Sequence, residues 1–163
     1  MDRVDLDISL VQAFFFTAMQ AGYAVEGIQK AKVIDMPGYK EIRYEDGDFL
    51  LVDRWCANPD SQKSAGTTTI WYQNKPVWFM SYGGFYPKET IHFLKSALRV
   101  QYCENGEFRG GRGLMVMSDR VAGWIYTNRP VQNKFYNFSG REEIHNIHTG
   151  VNGFHDYWGM SLI

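Results

Sequence analysis

Cysteine is nearly missing from this chain of 163 residues, which holds only Cys56 and Cys103. Two such residues make no disulfide framework, and neither a Cys-x-x-Cys pair nor a Cys/His metal spacing occurs. Long apolar runs are missing as well. No stretch reaches membrane-spanning length, and the acidic start Asp2-Arg3-Val4-Asp5-Leu6-Asp7 lacks the basic-then-apolar pattern of a secretory leader. A reducing, cytoplasmic setting without a membrane partner is expected. Charge imbalance is small: 17 basic against 18 acidic residues leave a net −1, which argues against a general polyanion binder and against direct nucleic-acid binding. Repeats, low-complexity stretches and linkers are also lacking, so residues 1–163 are read as one α+β domain. There is no Gly-x-Ser-x-Gly elbow and no P-loop ending in Gly-Lys-Ser/Thr. No cofactor and no metal are expected, and a catalyst is less expected than a binder.

Aromatics are what the chain has in excess. Eleven Phe, ten Tyr and five Trp make 16% of the residues. Such side chains favour strands and large contact surfaces, which points to a β-rich fold. Charge is also unevenly spread. Residues 61–141 hold 11 basic and 4 acidic side chains, between acidic ends. Folding can intermix such segments into an ordinary solvated surface, or gather them into a cationic hollow for a small anion.

The first element reads as a helix over about residues 8–21. Ser9 and Gln12 suit a capping box, Leu10, Phe14, Ala18 and Ala21 recur at helical spacing, and Val11, Phe15 and Met19 form an adjacent row. A hairpin follows: residues 39–45 alternate, Asp46-Gly47 turns, and 48–56 resumes with Phe49, Leu51, Asp53 and Trp55 on one face. A second hairpin joins Thr68–Gln73 to Val77–Tyr82 through Asn74-Lys75. Pro87 opens a second helix to about residue 102, with Ile91, Leu94, Ala97, Leu98 and Tyr102 inside and Lys88, His92, Lys95 and Arg99 outside. Strands are expected near 122–128, 134–148 (broken around Ser139-Gly140) and 154–162. The fold class is α+β, a curved, mostly antiparallel β-sheet packed by two α-helices. Phe14, Phe15, Phe49 and Phe79 are assigned to its core, and Cys103 to a buried helix end.

Three groups of residues compete for function. His145, His148 and His155 lie close together with Glu143 and Asp156, but strand parity points 145 and 148 to opposite faces, against a shared metal. The loop Phe108-Arg109-Gly110-Gly111-Arg112-Gly113 offers glycines and a guanidinium fork to an anion, or simply connects two elements. The second hairpin supplies the favoured surface. Trp71, Trp78 and Tyr82, beside Arg54 and Trp55, form an aromatic wall with cationic support, suited to stacking a planar group. Core packing is the competing role for the same rings.

The residues Asp53-Arg54-Trp55 and Ile70-Trp71-Tyr72-Gln73-Asn74-Lys75-Pro76-Val77-Trp78-Phe79-Met80-Ser81-Tyr82-Gly83-Gly84 resemble the central signature of the bacterial DUF5680 family. The helix 91–98, Phe108-Arg109-Gly110, Asn137-Phe138-Ser139-Gly140 and Glu142-Glu143-Ile144 follow in that family's order. The resemblance implies a compact α+β domain found alone or behind a helix-turn-helix in regulators, and it implies no particular activity. The leading expectation is a domain that senses or sequesters a planar, nucleotide-like anion without turnover, through Arg54, Trp55, Trp71, Trp78, Tyr82 and Arg109. A phage protein that soaks up a host signal would fit. The alternatives are a hydrolase using Glu143, His145 or His155, and a protein-interaction module or homo-oligomer using the aromatic sheet surface.

Overall fold

The computed structural model describes residues 6–24 and 30–163. The first helix, α1, spans Ile8–Ala24. Its start is capped by Asp7 and not by a Ser9–Gln12 box: the Ser9 N–H donates to Asp7 Oδ1 at 2.9 Å, and that bond holds the Asp7 carboxyl below its ordinary range. Val11, Phe14, Phe15, Ala18 and Met19 are buried, while Leu10 is exposed. The core therefore takes up the second row whole, together with Phe14 and Ala18 of the first.

Nine strands follow: β1 (Ala31–Lys32), β2 (Tyr39–Asp46), β3 (Phe49–Ala57), β4 (Lys63–Tyr72), β5 (Lys75–Phe85), β6 (Val116–Asp119), β7 (Trp124–Lys134), β8 (Asn137–Asn146) and β9 (Asn152–Ser161). They form one sheet in the order β1-β2-β3-β4-β5-β9-β8-β7-β6, with antiparallel neighbours throughout. Two meanders thus join along β5 and β9. Between them run a 3₁₀ turn at Lys88–Thr90, helix α2 (Ile91–Val100) and a wide π turn at Gln101–Asn105 that ends on Gly106 in the left-handed region.

The hairpin reading holds, with longer strands. Gln73 and Asn74 both take positive φ (48° and 63°), as a two-residue primed turn requires, so the β4–β5 turn lies one position earlier than Asn74-Lys75. The expected break at Ser139-Gly140 is absent, because β8 runs straight through it. The irregularity lies instead in the partner strand, between Pro130 and Gln132, where proline has no N–H to give the ladder. The short edge strands β1 and β6 carry too little alternation to be read in advance.

Ring contacts mark which sheet face the helices meet. Phe14 stacks on Phe49 at 4.8 Å, and Phe15 meets Trp78 at 5.2 Å. Trp78 also stacks on Phe135 (5.1 Å) and Phe138 (5.3 Å). Parity then assigns Leu51, Asp53, Trp55, Trp78, Met80 and Tyr82 to this helix-facing side. Phe79 points the other way, where it meets Trp158 edge-on, so it does not belong to the core as expected. Cys103 is exposed. No described helix is long and apolar enough to cross a membrane.

Candidate functional site

A cleft of about 1110 Å³ lies between α2 and the helix-facing side of the sheet. Strand register builds its floor in three lines. Lys40, Trp55, Gly66 and Tyr82 are neighbours across β2 to β5. Ile42, Asp53, Thr68 and Met80 form the line on one side, and Ser64, Gly84 and His155 the line on the other, which Glu142 continues beneath the cleft. Gly66 has a specific role here: a Cβ at that position would stand 2.6 Å from Tyr82 Oη and 2.7 Å from Trp55 Cβ. Only the missing side chain lets the Tyr82 ring lie across the strand. The opposite wall comes from Ile91, Leu94, Lys95, Leu98 and Arg99 of α2.

Below the floor runs a buried polar network. Asp53 Oδ1 accepts hydrogen bonds from Tyr82 Oη (2.7 Å) and Thr68 Oγ1 (3.0 Å). Burial nevertheless raises the Asp53 carboxyl above its ordinary pKa, outweighing both donors. Glu142, fully buried, accepts from Arg112 through Nε (2.9 Å) and Nη2, and from Tyr126 Oη (2.7 Å). Burial, reinforced by the negative charge of Glu142, holds the Tyr126 hydroxyl well above the usual phenol range. Arg112 also lies 5.2 Å over the Tyr82 ring.

The loop that delivers Arg112 is pinned by side chains of β7. Asn128 donates to the carbonyls of Arg109 (2.9 Å) and Gly113 (3.0 Å) and accepts from Tyr157 Oη. The Gly113 N–H donates to Tyr126 Oη at 2.9 Å, and the Gly110 N–H to Asn133 Oδ1 at 2.9 Å. The loop is thus a positioned element and not a slack connector.

At the other end, His155 Nε2 lies 3.0 Å from Ser64 Oγ, and its ring sits 4.5 Å from that of Tyr86. Burial first, and the Arg112 charge second, push the imidazole down to about 4, so it is neutral at ordinary pH. Its Nδ1 stands 3.7 Å from Glu142 Oε1, beyond a hydrogen bond. Nδ1 is buried without a hydrogen-bond partner among the described residues.

The cleft lining is cationic. Lys30, Lys40, Lys88, Lys95, Arg99 and Arg112 face a single carboxylate, Asp53. Apart from Arg112, none of these cations forms an ion pair among the described residues. Lys30 Nζ lies 5.4 Å over the Trp55 ring, and its pKa is lowered by burial and then by the charges of Lys95 and Lys40.

Of the residues expected to bind, the structure brings Trp55 and Tyr82 together in this cleft. Trp78 is not with them: at 0% exposure it is core, its Nε1 donating to the Phe135 carbonyl at 2.8 Å. Arg54 and Trp71 point to the other face, where Arg54 is engaged by Glu41 Oε2 at 2.6 Å. Arg109 pairs with Glu107 at 2.6 Å on the loop surface. Glu143 and His145 also lie on the far face, away from His155. Lys88, His92, Lys95 and Arg99 are exposed, as expected, and all four also line the cleft. Of the two arginines of the loop 108–113, Arg112 and not Arg109 lines the cleft, and the only signal for Arg112 in the sequence was that loop. Asp53 was legible by parity with Trp55.

Fold and site together define an antiparallel α+β domain with one cationic, aromatic-floored cleft. The family model described as "Domain of unknown function (DUF5680)" matches residues 60–160. That is more than half of the chain, and the chain belongs to this family. The matched segment holds Ser64, Tyr82, α2, Arg112, Glu142 and His155, while Lys30, Lys40, Asp53 and Trp55 precede it. No curated protein and no solved structure matches the chain.

Proposed function

We propose that this chain is a binding domain for a small anionic molecule with a planar group, held between α2 and the helix-facing side of the sheet. The observation that carries this reading is the gathering of six cations and one carboxylate around the Trp55 and Tyr82 rings. Burial first, and then the charges of Lys95 and Lys40, lower the pKa of Lys30, and an anion in the cleft would offset that repulsion. At about 1110 Å³ the cleft is slightly larger than the usual range of small-molecule sites, about 300–1,000 Å³. A neutral aromatic floor with charged walls suits a ligand that has a flat face and a negative end.

A thermal-shift panel of anionic, neutral and cationic aromatic metabolites tests the reading. Stabilisation by anionic members, lost in Lys95→Glu, supports it. Equal response to all three charge classes, or response to cations alone, refutes it.

A hydrolytic reading has one observation in its favour, the 3.0 Å approach of Ser64 Oγ to His155 Nε2 on the cleft wall. Two others oppose it. An imidazole held near 4 is a weak base at neutral pH, and Glu142 is already engaged by Arg112 and Tyr126. The Ser64–His155 pair is better suited to hydrogen-bonding a ligand than to attacking one.

A further inference from the structure

We infer that the anion this cleft takes is a phosphoryl group of more than one negative charge, seated where Lys30, Lys40 and Lys95 converge, and that the rest of the ligand is a nucleobase-like head reaching toward Ser64, Tyr86 and His155. The ligand class is a nucleoside diphosphate or a close relative. The inference rests on the reading of the cleft as a binding site and deepens it.

The charged corner is assembled from three separate parts of the chain: the segment before β1, strand β2 and helix α2. Lys95 and Lys40 both repel Lys30, none of the three forms an ion pair among the described residues, and Arg99 lies on the same wall. One carboxylate would leave most of that charge unmatched. A phosphate or diphosphate brings two or more charges and several acceptor oxygens, and ammonium groups with three donors each can surround it from three directions.

The far end has a different chemistry. His155 (6% exposed) carries an Nδ1 with no hydrogen bond among the described residues, beside the Tyr86 ring at 4.5 Å. A buried donor or acceptor left unmade costs about 1–3 kcal/mol, so His155 Nδ1 on the cleft wall points to a bound partner. Ser64, Asn58 and Gln62 line the same end. Neutral donors and acceptors beside aromatic rings match the edge and faces of a base, and of the cations at that end Arg112 is already engaged by Glu142.

Spacing links the two ends. Lys40 and His155 are separated by four strand steps, about 19 Å of backbone at the usual strand spacing. Side chains directed inward shorten that gap, but a bare phosphate or a simple aromatic acid still does not span it.

The test is calorimetric titration of the full chain with ADP, GDP, CDP and UDP, with the four matching nucleosides, with inorganic pyrophosphate, and with indole-3-acetate as an aromatic carboxylate. At least one diphosphate is expected to bind, its nucleoside at least tenfold more weakly, with pyrophosphate competing. Lys30→Gln combined with Lys95→Gln is expected to weaken diphosphate binding at least tenfold while leaving the melting temperature within a few degrees. Tyr86→Phe is expected to weaken the nucleoside diphosphate and leave pyrophosphate unchanged. Binding of the carboxylate but of no phosphate compound would overturn the phosphoryl assignment and leave the anion cleft standing. Pyrophosphate binding without any nucleotide preference would overturn the nucleobase half. Diphosphate binding indifferent to the lysine pair would overturn the placement. Silence from every compound would count against both this inference and the cleft reading beneath it.

Discussion

Arg112 and Glu142 meet at the middle of the helix-facing side of the sheet, with both Nε and Nη2 of the guanidinium on one carboxylate oxygen. The other oxygen takes the Tyr126 hydroxyl. Neither partner reaches solvent to any useful extent, the side chains being 7% and 0% exposed. Removing one charge from such a pair strands the other. Glu142→Gln is therefore expected to destabilise the fold by roughly 3–5 kcal/mol, read as a lower urea midpoint. Replacing both members together (Arg112→Met with Glu142→Gln) is expected to cost less than Glu142→Gln alone. A double variant that is the less stable of the two would contradict this account of the pair.

Trp78 tests the division between core and cleft. Its ring packs between Phe135 and Phe138 and against Phe15. Trp78→Ala is expected to cost roughly 3–5 kcal/mol by chemical denaturation, as deletion of a buried aromatic does. Ligand affinity of whatever fraction remains folded is expected to stay within a few-fold. A selective loss of binding without loss of stability would return Trp78 to the site.

His155 makes stability depend on pH in one direction. Its folded-state value of about 4 lies below the ordinary 6.5, so as pH falls the unfolded chain takes up the proton first. The contribution is fully present above about 6.5 and is lost progressively down to about 4. Its size is on the order of 3 kcal/mol. Arg112, Glu142 and Asp156 also act on this ring, so the comparison is with His155→Gln in the same buffers. The wild-type chain should lose more stability between pH 7 and 4.5 than the variant. Parallel profiles would show that the ring is not held neutral.

Gly66 separates the Trp55 and Tyr82 rings. Gly66→Ala puts a methyl 2.6 Å from Tyr82 Oη, so the ring must move and its bond to Asp53 must stretch or break. A loss of about 1–3 kcal/mol is expected from the clash, with a tenfold or larger loss of ligand affinity. A melting curve and a titration on the same sample separate the two effects. Unchanged affinity would remove Tyr82 from the binding floor.

The family, the α+β class and the antiparallel hairpins were legible in the chain, and the reasons are local. Asp46-Gly47 makes a turn by its own backbone preference, and period-two alternation places Asp53 and Trp55 on one face whatever lies beside them. The candidate site was only half legible because it depends on which face the helices meet. Nothing local to Arg54 or Trp78 reveals that Arg54 points away from α1 and α2 while Trp78 lies beneath them. Lys95 and Arg99 are exposed as read, but their place on the cleft was not legible: a cation on the polar side of an amphipathic helix reads only as solvent-facing until a neighbouring sheet turns that side into a wall. Arg112 required long-range knowledge, since Asn128 and Tyr126, from a strand later in the chain, fix its loop.

The most direct measurement is ¹⁹F NMR of the chain carrying 5-fluorotryptophan at its five tryptophans, titrated in turn with ADP, GDP, CDP and UDP. Trp55 lines the cleft, whereas Trp71 and Trp158 lie on the opposite face of the sheet. The account predicts a saturable shift of the Trp55 resonance with at least one of the four, reduced by Lys30→Gln with Lys95→Gln, while Trp71 and Trp158 stay in place. Movement of Trp71 and Trp158 with a stationary Trp55 would contradict it, and would place the binding surface on the side of the sheet that the helices leave open.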